Sequence, residues 1–328
     1  MPTTRRSDPS LATPESGAAV AGSSRCATVS VEAGEQPAGT ASRWRACLLV
    51  EDNGPWGPKV LNDARLPAAA RSHLDRADLR VLLIRRHGRR AAADPQQGGV
   101  RVIASWSDRD ASWAETTTIP SLDALAEIDV SPLVAGRSLG WDAVTDPVVL
   151  VCTHGRRDVC CAERGRPVAA ALAASDPDGT WECSHVGGHR YAANVVVLPD
   201  GLAYGRVEPG EAVDILARWR GGRIDAEHAR GWVWQEPAAQ AAEVVVRQRL
   251  GLTARADVRA EPEEFTGAPA ERVRVEIASG AYAGTHRVTV QRSAPEQADG
   301  LAVGVLASCG DEQTTPAAGW QVGPLEPV

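Results

Sequence analysis

Potential metal ligands crowd the middle of this chain, and they constrain its fold more than any other feature. The stretch from Val148 to Val207 opens as VVLVCTHGRRDVCCAERGRPV and closes as WECSHVGGHRYAANVVVLPDGLAYGRV. Thiols and imidazoles at this density, in loops between apolar runs, are typical of a metal or metal–sulfur site. These donors are Cys152, Cys160, Cys161, Cys183, His154, His185 and His189.

Composition excludes several classes of function. The net charge of −7 argues against nucleic-acid binding, which needs a basic surface. No apolar run approaches the roughly 20 residues that span a bilayer, and the N-terminus lacks the apolar core of a signal peptide. Seven cysteines, an odd number clustered in one region, fit a metal or redox role better than a disulfide framework. We therefore expect a soluble cytoplasmic protein that binds neither nucleic acid nor membrane.

The chain divides into four segments. Residues 1–42 are rich in small and polar residues without a hydrophobic period, which predicts a disordered tail with Cys26 as an incidental exposed thiol. Strands and helices follow one another over 43–143 in an order that predicts an α/β domain compatible with a thioredoxin-like sandwich. Residues 144–235 repeat this kind of alternation, and residues 236–328 predict a helix followed by antiparallel strands.

The spacing of the donors indicates which of them act together. Cys152 ends a fully apolar strand, where α/β folds place functional loops, and eight residues separate it from Cys161. His185 and His189 flank a V-G-G triplet whose glycines permit a tight loop. Two Cys and two His suit either a tetrahedral zinc ion or a 2Fe–2S cluster in which two imidazoles replace two thiolates. The spacing alone leaves both open.

The same stretch resembles the sucrase/ferredoxin-like family. The similarity is detailed over VCTHGRRDVCCAERGRPV and WECSHVGGHRYAANVVVLPDGLAYGRV, including the H-x-G-G-H motif, and is looser over 44–143. It implies a thioredoxin-like ferredoxin domain at 144–235, preceded by a second thioredoxin-like α/β domain. Members of the family bind a 2Fe–2S cluster through two Cys and two His. By matching position, the resemblance implies the ligands Cys152, Cys161, His185 and His189.

Neighbouring residues leave alternatives open. Cys160 is the nearest rival to Cys161 because the two are adjacent. Cys183 is expected to pack under the ligand loop as a small hydrophobe, and His154 to lie at the surface or donate a hydrogen bond toward the cluster. Five arginines form either an electropositive rim or solvated loops around the site: Arg156, Arg157, Arg164, Arg166 and Arg190.

The function expected from these features is one-electron transfer or redox sensing, with donor and acceptor proteins that the sequence does not specify. The oligomeric state is equally unspecified. One alternative is a structural zinc scaffold, and another is a thiol–disulfide oxidoreductase, although C-x-x-C is absent. The sequence shows no paired-carboxylate signature of a glycosidase. It also lacks the serine-hydrolase motif G-x-S-x-G and the metalloprotease motif H-E-x-x-H, so hydrolytic or sucrase activity is not expected.

Overall fold

The computed structural model describes residues 25–62, 65–88, 99–264, 270–293 and 303–328. It is a mixed α/β protein with a ten-stranded sheet, a five-stranded antiparallel sheet and a two-stranded sheet. The predicted α/β class is confirmed at this level. Within the described residues, no helix has the length and apolar character needed to cross a membrane.

The strands of the ten-stranded sheet lie between residues 46 and 232. Its strands are β1 (Ala46–Glu51), β2 (Leu79–Arg85), β3 (Val100–Trp106), β4 (Trp113–Ile119), β5 (Asp142–Ala143), β6 (Val148–Cys152), β7 (Thr180–Cys183), β8 (Val195–Leu198), β9 (Leu202–Tyr204) and β10 (Ala229–Trp232). The helices over this region are α1 (Cys26–Glu32), α2 (Ala68–Leu74), α3 (Ser131–Val134), α4 (Val159–Ser175) and α5 (Pro209–Arg220). Short 3-10 turns cover Val60–Asn62, Leu122–Glu127 and His189–Tyr191.

The remaining elements follow β10. They are α6 (Pro237–Leu250), a 3-10 turn at Arg255–Asp257, β11 (Val258–Glu263), β12 (Ala270–Ile277), β13 (Gly284–Ser293), β14 (Gly304–Leu306), β15 (Thr314–Pro316), β16 (Gly319–Val322) and β17 (Glu326–Pro327). Helix α6 packs its apolar face on the sheet formed by β11, β12, β13 and β16. The antiparallel pairing expected after the helix is confirmed.

The ten-stranded sheet consists of two halves with the same strand order. In the first half (β1 to β5) the order is β2-β1-β3-β4, and in the second half (β6 to β10) it is β7-β6-β8-β9. In each half the first two strands along the chain are parallel, with a helix between them, and the next two strands pair antiparallel. The sheet therefore contains the same four-strand arrangement twice.

The halves meet through the C-terminal ends of β2 and β7, which we call the seam. These strands pair antiparallel at Ile84 with Cys183 and at Arg85 with Glu182. Ser184 extends the contact, since its N–H donates to the Leu83 carbonyl at 2.8 Å and its hydroxyl accepts from the Leu83 N–H at 3.0 Å. The sheet is thus continuous across the boundary predicted between residues 143 and 144. The domain limits themselves stay predictions.

Alternation along the strands divides the sheet between two cores. Leu48 and Val50 face a core with the helices of the first half. Cys47 and Leu49 face the opposite side, in a core that also contains Cys152 and residues of both halves. Cys47 was expected to be a core residue, and it is fully buried.

The prediction of a disordered tail is wrong for residues 25–42. They form α1 and an ordered segment in which Cys26 is fully buried rather than exposed. The reason is a set of long-range polar contacts that composition does not reveal. Glu35 is buried, forms an ion pair with Arg190 at 2.9 Å and accepts a hydrogen bond from the N–H of Ala318 at 3.0 Å. Residues 1–24 of the predicted tail lie outside the described residues.

Candidate metal centre

The four proposed ligands come from three places in the second half of the sheet. Cys152 is the last residue of β6, and Cys161 lies in the first turn of α4. Asp158 caps this helix, because its side chain accepts a hydrogen bond from the N–H of Cys160. His185 and His189 lie in the loop between β7 and β8. Strand end, helix start and loop converge next to the seam.

Three of the four proposed ligands lie close together. The ligand atoms of Cys152, Cys161 and His185 are within 4.8 Å of one another, and the Cys161 sulfur is 4.0 Å from His185 Nδ1. Both thiols are buried, whereas His185 is partly exposed. His189 lies beside this group rather than in it, with its ring centroid 5.3 Å from that of His185. The group has a buried thiol side and a more open imidazole side.

Asp158 orients the fourth proposed ligand. Nδ1 of His189 is 3.2 Å from Asp158 Oδ2. This contact occupies Nδ1, so Nε2 is the ring nitrogen left for a metal. Histidine ligands commonly donate their second N–H to a carboxylate, which fixes the tautomer and the ring orientation. Burial lowers the pKa of His189, against the opposing charge of Asp158, and favours the neutral form that binds metals.

A hydrogen bond links the two buried thiols. A hydrogen bond from Cys161 lowers the pKa of Cys152 well below its ordinary value, against the effect of burial and with further help from His185. The same hydrogen bond, together with burial, raises the pKa of Cys161. The hydrogen bond favours the thiolate form of Cys152, and the thiolate is the form of cysteine that binds metals.

The glycines between the two histidines are required by the backbone and by close packing. Gly187 and Gly188 have φ angles of 91° and 70°. A Cβ on Gly188 would lie 2.2 Å from a guanidinium nitrogen of Arg230, and one on Gly187 would lie 1.9 Å from the hydroxyl of Ser42. No other residue type fits either position without displacing these neighbours.

Arg230 holds this loop from behind, and sequence reasoning missed it. Its guanidinium donates to the Gly187 carbonyl at 3.1 Å and to Asn194 Oδ1 at 2.7 Å, while Asn194 Nδ2 donates to the Gly188 carbonyl at 2.9 Å. Arg230 is only 2% exposed, and burial lowers its pKa to about 10. Among the described residues it has no carboxylate in an ion pair. No motif surrounds it in the sequence, so nothing there signals its role.

Residues of both halves hold His185 in place. The Arg80 guanidinium donates to the His185 carbonyl. The N–H of His185 donates to His154 Nδ1 at 3.1 Å, and His154 Nε2 donates in turn to the Gly57 carbonyl at 2.7 Å. His154 is buried rather than at the surface, and burial lowers its pKa; its backbone N–H donates to the Cys152 sulfur. Cys183 is buried in the core, outside the ligand group, as expected.

Cys160 points to a different neighbourhood from Cys161. Successive side chains on a helix diverge by about 100°. The Cys160 sulfur accordingly lies 3.6 Å from that of Cys26 and 3.2 Å from that of Cys309, and only Cys161 faces Cys152.

The proposed arginine rim is incomplete, since Arg190 is paired with Glu35. Three of its members are exposed, namely Arg156, Arg157 and Arg166.

Comparison with known proteins places the chain in a family. One curated relative, altered inheritance of mitochondria protein 32 of Meyerozyma guilliermondii, is 37% identical in an alignment 101 residues long that covers 27% of this chain and 36% of that protein. The chain thus spans about a third of the length of this relative. No solved structure matches. A sequence model described as sucrase/ferredoxin-like matches residues 37–231, more than half of the chain. The chain therefore belongs to the sucrase/ferredoxin-like family.

Proposed function

We propose that the chain is a one-electron carrier or redox sensor that holds a 2Fe–2S cluster through Cys152, Cys161, His185 and His189. One observation carries this proposal, namely two buried thiols and an imidazole within 4.8 Å of one another, with a second imidazole beside them. Membership of the sucrase/ferredoxin-like family supports it. The repeated strand order also supports a thioredoxin-like arrangement for each half.

The donor set fits such a cluster. A 2Fe–2S cluster accepts and releases one electron, and replacing two thiolates by neutral imidazoles raises its reduction potential. Cys152 and Cys161 supply the two thiolates from the buried side. His189 is held by Asp158 with Nε2 free, and His185 is held through its backbone by His154 and Arg80.

The surroundings separate a closed side from an accessible side. Both thiols are buried and have almost no contact with solvent, whereas both histidines are partly exposed. We expect a redox partner to approach from the imidazole side, because electron transfer requires a short path between the centres. Arg230, a buried cation behind the ligand loop, favours the extra negative charge that reduction brings.

A structural zinc ion is the second candidate. The compact group of Cys152, Cys161 and His185 is small enough to surround a single ion. Zinc readily takes two Cys and two His in a closed structural site. A zinc protein would be colourless and redox-inactive at this centre, so the two candidates are easily separated.

We also propose a reducing compartment such as the cytoplasm. All seven cysteines lie in the described residues, and none of them forms a disulfide. Free buried thiols persist where glutathione and thioredoxin keep cysteines reduced.

Anaerobic purification of the full chain tests the cluster. We expect a red-brown protein with about two irons and two labile sulfides per chain and a rhombic EPR signal on reduction. A colourless protein that contains zinc instead of iron at this site contradicts the proposal.

The double substitution His185→Cys/His189→Cys tests the ligands. Thiolates in place of neutral imidazoles should preserve the cluster and lower its potential toward that of all-cysteine ferredoxins. His73→Cys is the matched control, because His73 lies in α2 of the first half and contacts the Ile128 carbonyl instead. An unchanged potential in the double variant contradicts the assignment.

A further inference from the structure

A second group of sulfur ligands lies at the start of α4. It comprises Cys26, the first residue of α1, Cys160 of α4 and Cys309 of the loop after β14, which we call the three-cysteine group. Their sulfurs and a carboxylate oxygen of Asp158 all lie within 4.8 Å of one another. None of the four proposed cluster ligands belongs to this group.

The sulfur–sulfur distances are somewhat shorter than those around a tetrahedral zinc ion, and the sulfur–oxygen distance is close to the expected one. The three sulfur–sulfur distances are 3.6 Å for Cys26–Cys160, 3.2 Å for Cys160–Cys309 and 3.5 Å for Cys26–Cys309. Zinc–sulfur bonds of about 2.3 Å at tetrahedral angles separate two sulfurs by about 3.8 Å. Oδ1 of Asp158 is 3.6 Å from the Cys26 sulfur, and a zinc–oxygen bond of about 2.0 Å would place these atoms about 3.5 Å apart.

The carboxylate is fixed in place before any ion binds. Asp158 accepts hydrogen bonds from the N–H groups of Cys160 and Cys309, both at 2.9 Å, and from the Ser308 hydroxyl at 3.0 Å. Oδ1 carries only the Cys160 N–H among these donors, so it keeps a lone pair for a metal. His189 contacts Oδ2 instead.

Backbone N–H groups point at two of the three sulfurs. The N–H of Cys26 donates to the Cys309 sulfur at 3.4 Å, and the N–H of Ala27 donates to Cys160. Cys160 lies at the N-terminus of a 17-residue helix, whose dipole favours an anion there. These N–H contacts and the helix start favour the thiolate form of Cys160.

A disulfide explains this arrangement less well than a metal. It would consume two sulfurs and leave the third thiol and the buried carboxylate of Asp158 unused. Thiolate-rich sets with a carboxylate suit zinc. Cys26 and Cys160 are buried while Cys309 is partly exposed, so an ion has a path from solvent.

We propose that Cys26, Cys160, Cys309 and Asp158 form a second metal site, which takes zinc and is separate from the cluster site. Binding displaces the thiol protons to solvent and leaves a four-coordinate ion. The ion joins α1, α4 and the loop after β14, three segments that are distant in sequence. It thereby fixes the helix start that carries Cys161 and the Asp158 carboxylate that orients His189.

Metal analysis of the full chain, expressed with added zinc and iron and purified anaerobically, tests this site. We expect about one zinc per chain in addition to iron. Cys26→Ser and Cys309→Ser should lose the zinc and retain most of the iron, whereas Cys152→Ser should lose the iron and retain the zinc. Cys47→Ala, which removes a buried thiol of β1 outside both groups, should retain both metals.

Measurements on the unaltered chain keep the test valid if a variant fails to fold. Bound zinc should protect Cys26, Cys160 and Cys309 from alkylation, as mapped by mass spectrometry, and Co²⁺ should give the visible spectrum of a tetrahedral thiolate site. Absence of both effects overturns the proposal, as does a disulfide within the three-cysteine group of zinc-free protein. Iron that persists in Cys152→Ser overturns the assignment to zinc. The two proposals fail independently, because the zinc content tests the three-cysteine group and the iron content tests the cluster site.

Discussion

The two halves of the ten-stranded sheet share a strand order but end their first strands differently. In the first half, β1 leads into Asp52, a buried carboxylate that pairs with Arg65 and accepts the N–H of Gly54 at 3.0 Å. In the second half, β6 ends in Cys152, a thiol that faces another thiol and an imidazole.

The difference shows how one strand arrangement supports two roles. In the first half the buried carboxylate after the strand is paired with the guanidinium of Arg65, which is exposed. In the second half thiols converge, and the buried cation behind the loop, Arg230, has no carboxylate partner among the described residues. The polar group after β1 is thus already paired within the protein, whereas the thiols and imidazole after β6 can bind a ligand.

The largest expected contrast comes from removing one buried thiol in each half. Cys47 of β1 and Cys152 of β6 belong to the same core. Cys152→Ala should lose essentially all bound iron and visible absorbance, since a thiolate ligand disappears. Cys47→Ala should keep both and lose only about 1 kcal/mol of unfolding free energy. Iron analysis and absorbance spectra check this, and equal iron contents would remove the proposed distinction between the halves.

A smaller effect is expected from Arg230→Met. The variant leaves the Gly187 carbonyl and Asn194 without their donor, which should lower the unfolding free energy by about 3 kcal/mol. Loss of the buried positive charge should also lower the midpoint potential. The control is Arg45→Met, since Arg45 forms an exposed ion pair in the first half and should contribute less than about 1 kcal/mol.

Chemical denaturation and potentiometry measure both effects. If Arg230→Met costs no more stability than Arg45→Met and leaves the potential unchanged, Arg230 does not position the ligand loop.

The smallest effect concerns the seam. Burial alone would raise the pKa of Glu182, but hydrogen bonds from Arg85, Thr153 and His87 outweigh it and lower the pKa below the ordinary 4.5. A carboxyl group with a lowered pKa stabilises the fold above its unfolded-state pKa, and this contribution is lost as the pH falls through the folded-state value. Glu182→Gln should therefore cost about 2 kcal/mol at neutral pH.

The pH dependence distinguishes this role from simple packing. The stability difference between Glu182→Gln and the unaltered chain should shrink as the pH falls below about 4.5, because the wild-type carboxylate becomes protonated. Urea denaturation at several pH values measures it. The exposed Glu163, paired with Arg25, provides the control substitution Glu163→Gln. A difference that stays constant with pH would assign Glu182 a purely steric role.

Local patterns in the sequence predicted much of the second half. The apolar run before Cys152 and the Pro-Asp-Gly turn between β8 and β9 are local signals, and the structure has a strand or turn at each. The spacing that favoured Cys161 over Cys160 agrees with helix geometry, which directs the two side chains to different groups.

Long-range contacts were not predictable in this way. Cys26 and Cys309 are 283 residues apart, and their segments show no period that would indicate a common destination. The role of Arg230 was equally unpredictable, because the sequence around a buried arginine that donates to carbonyl groups does not differ from that around an exposed one. Periodicity reports which face of an element is buried, not which distant segment covers it.

The position of Cys309 has a consequence for how the protein matures. All four proposed cluster ligands precede Cys309 in the chain. The C-terminal segment brings the third sulfur to Cys26 and Cys160. Metal binding at the three-cysteine group would thus require the chain to be complete up to Cys309, whereas all residues of the proposed cluster site are synthesised earlier.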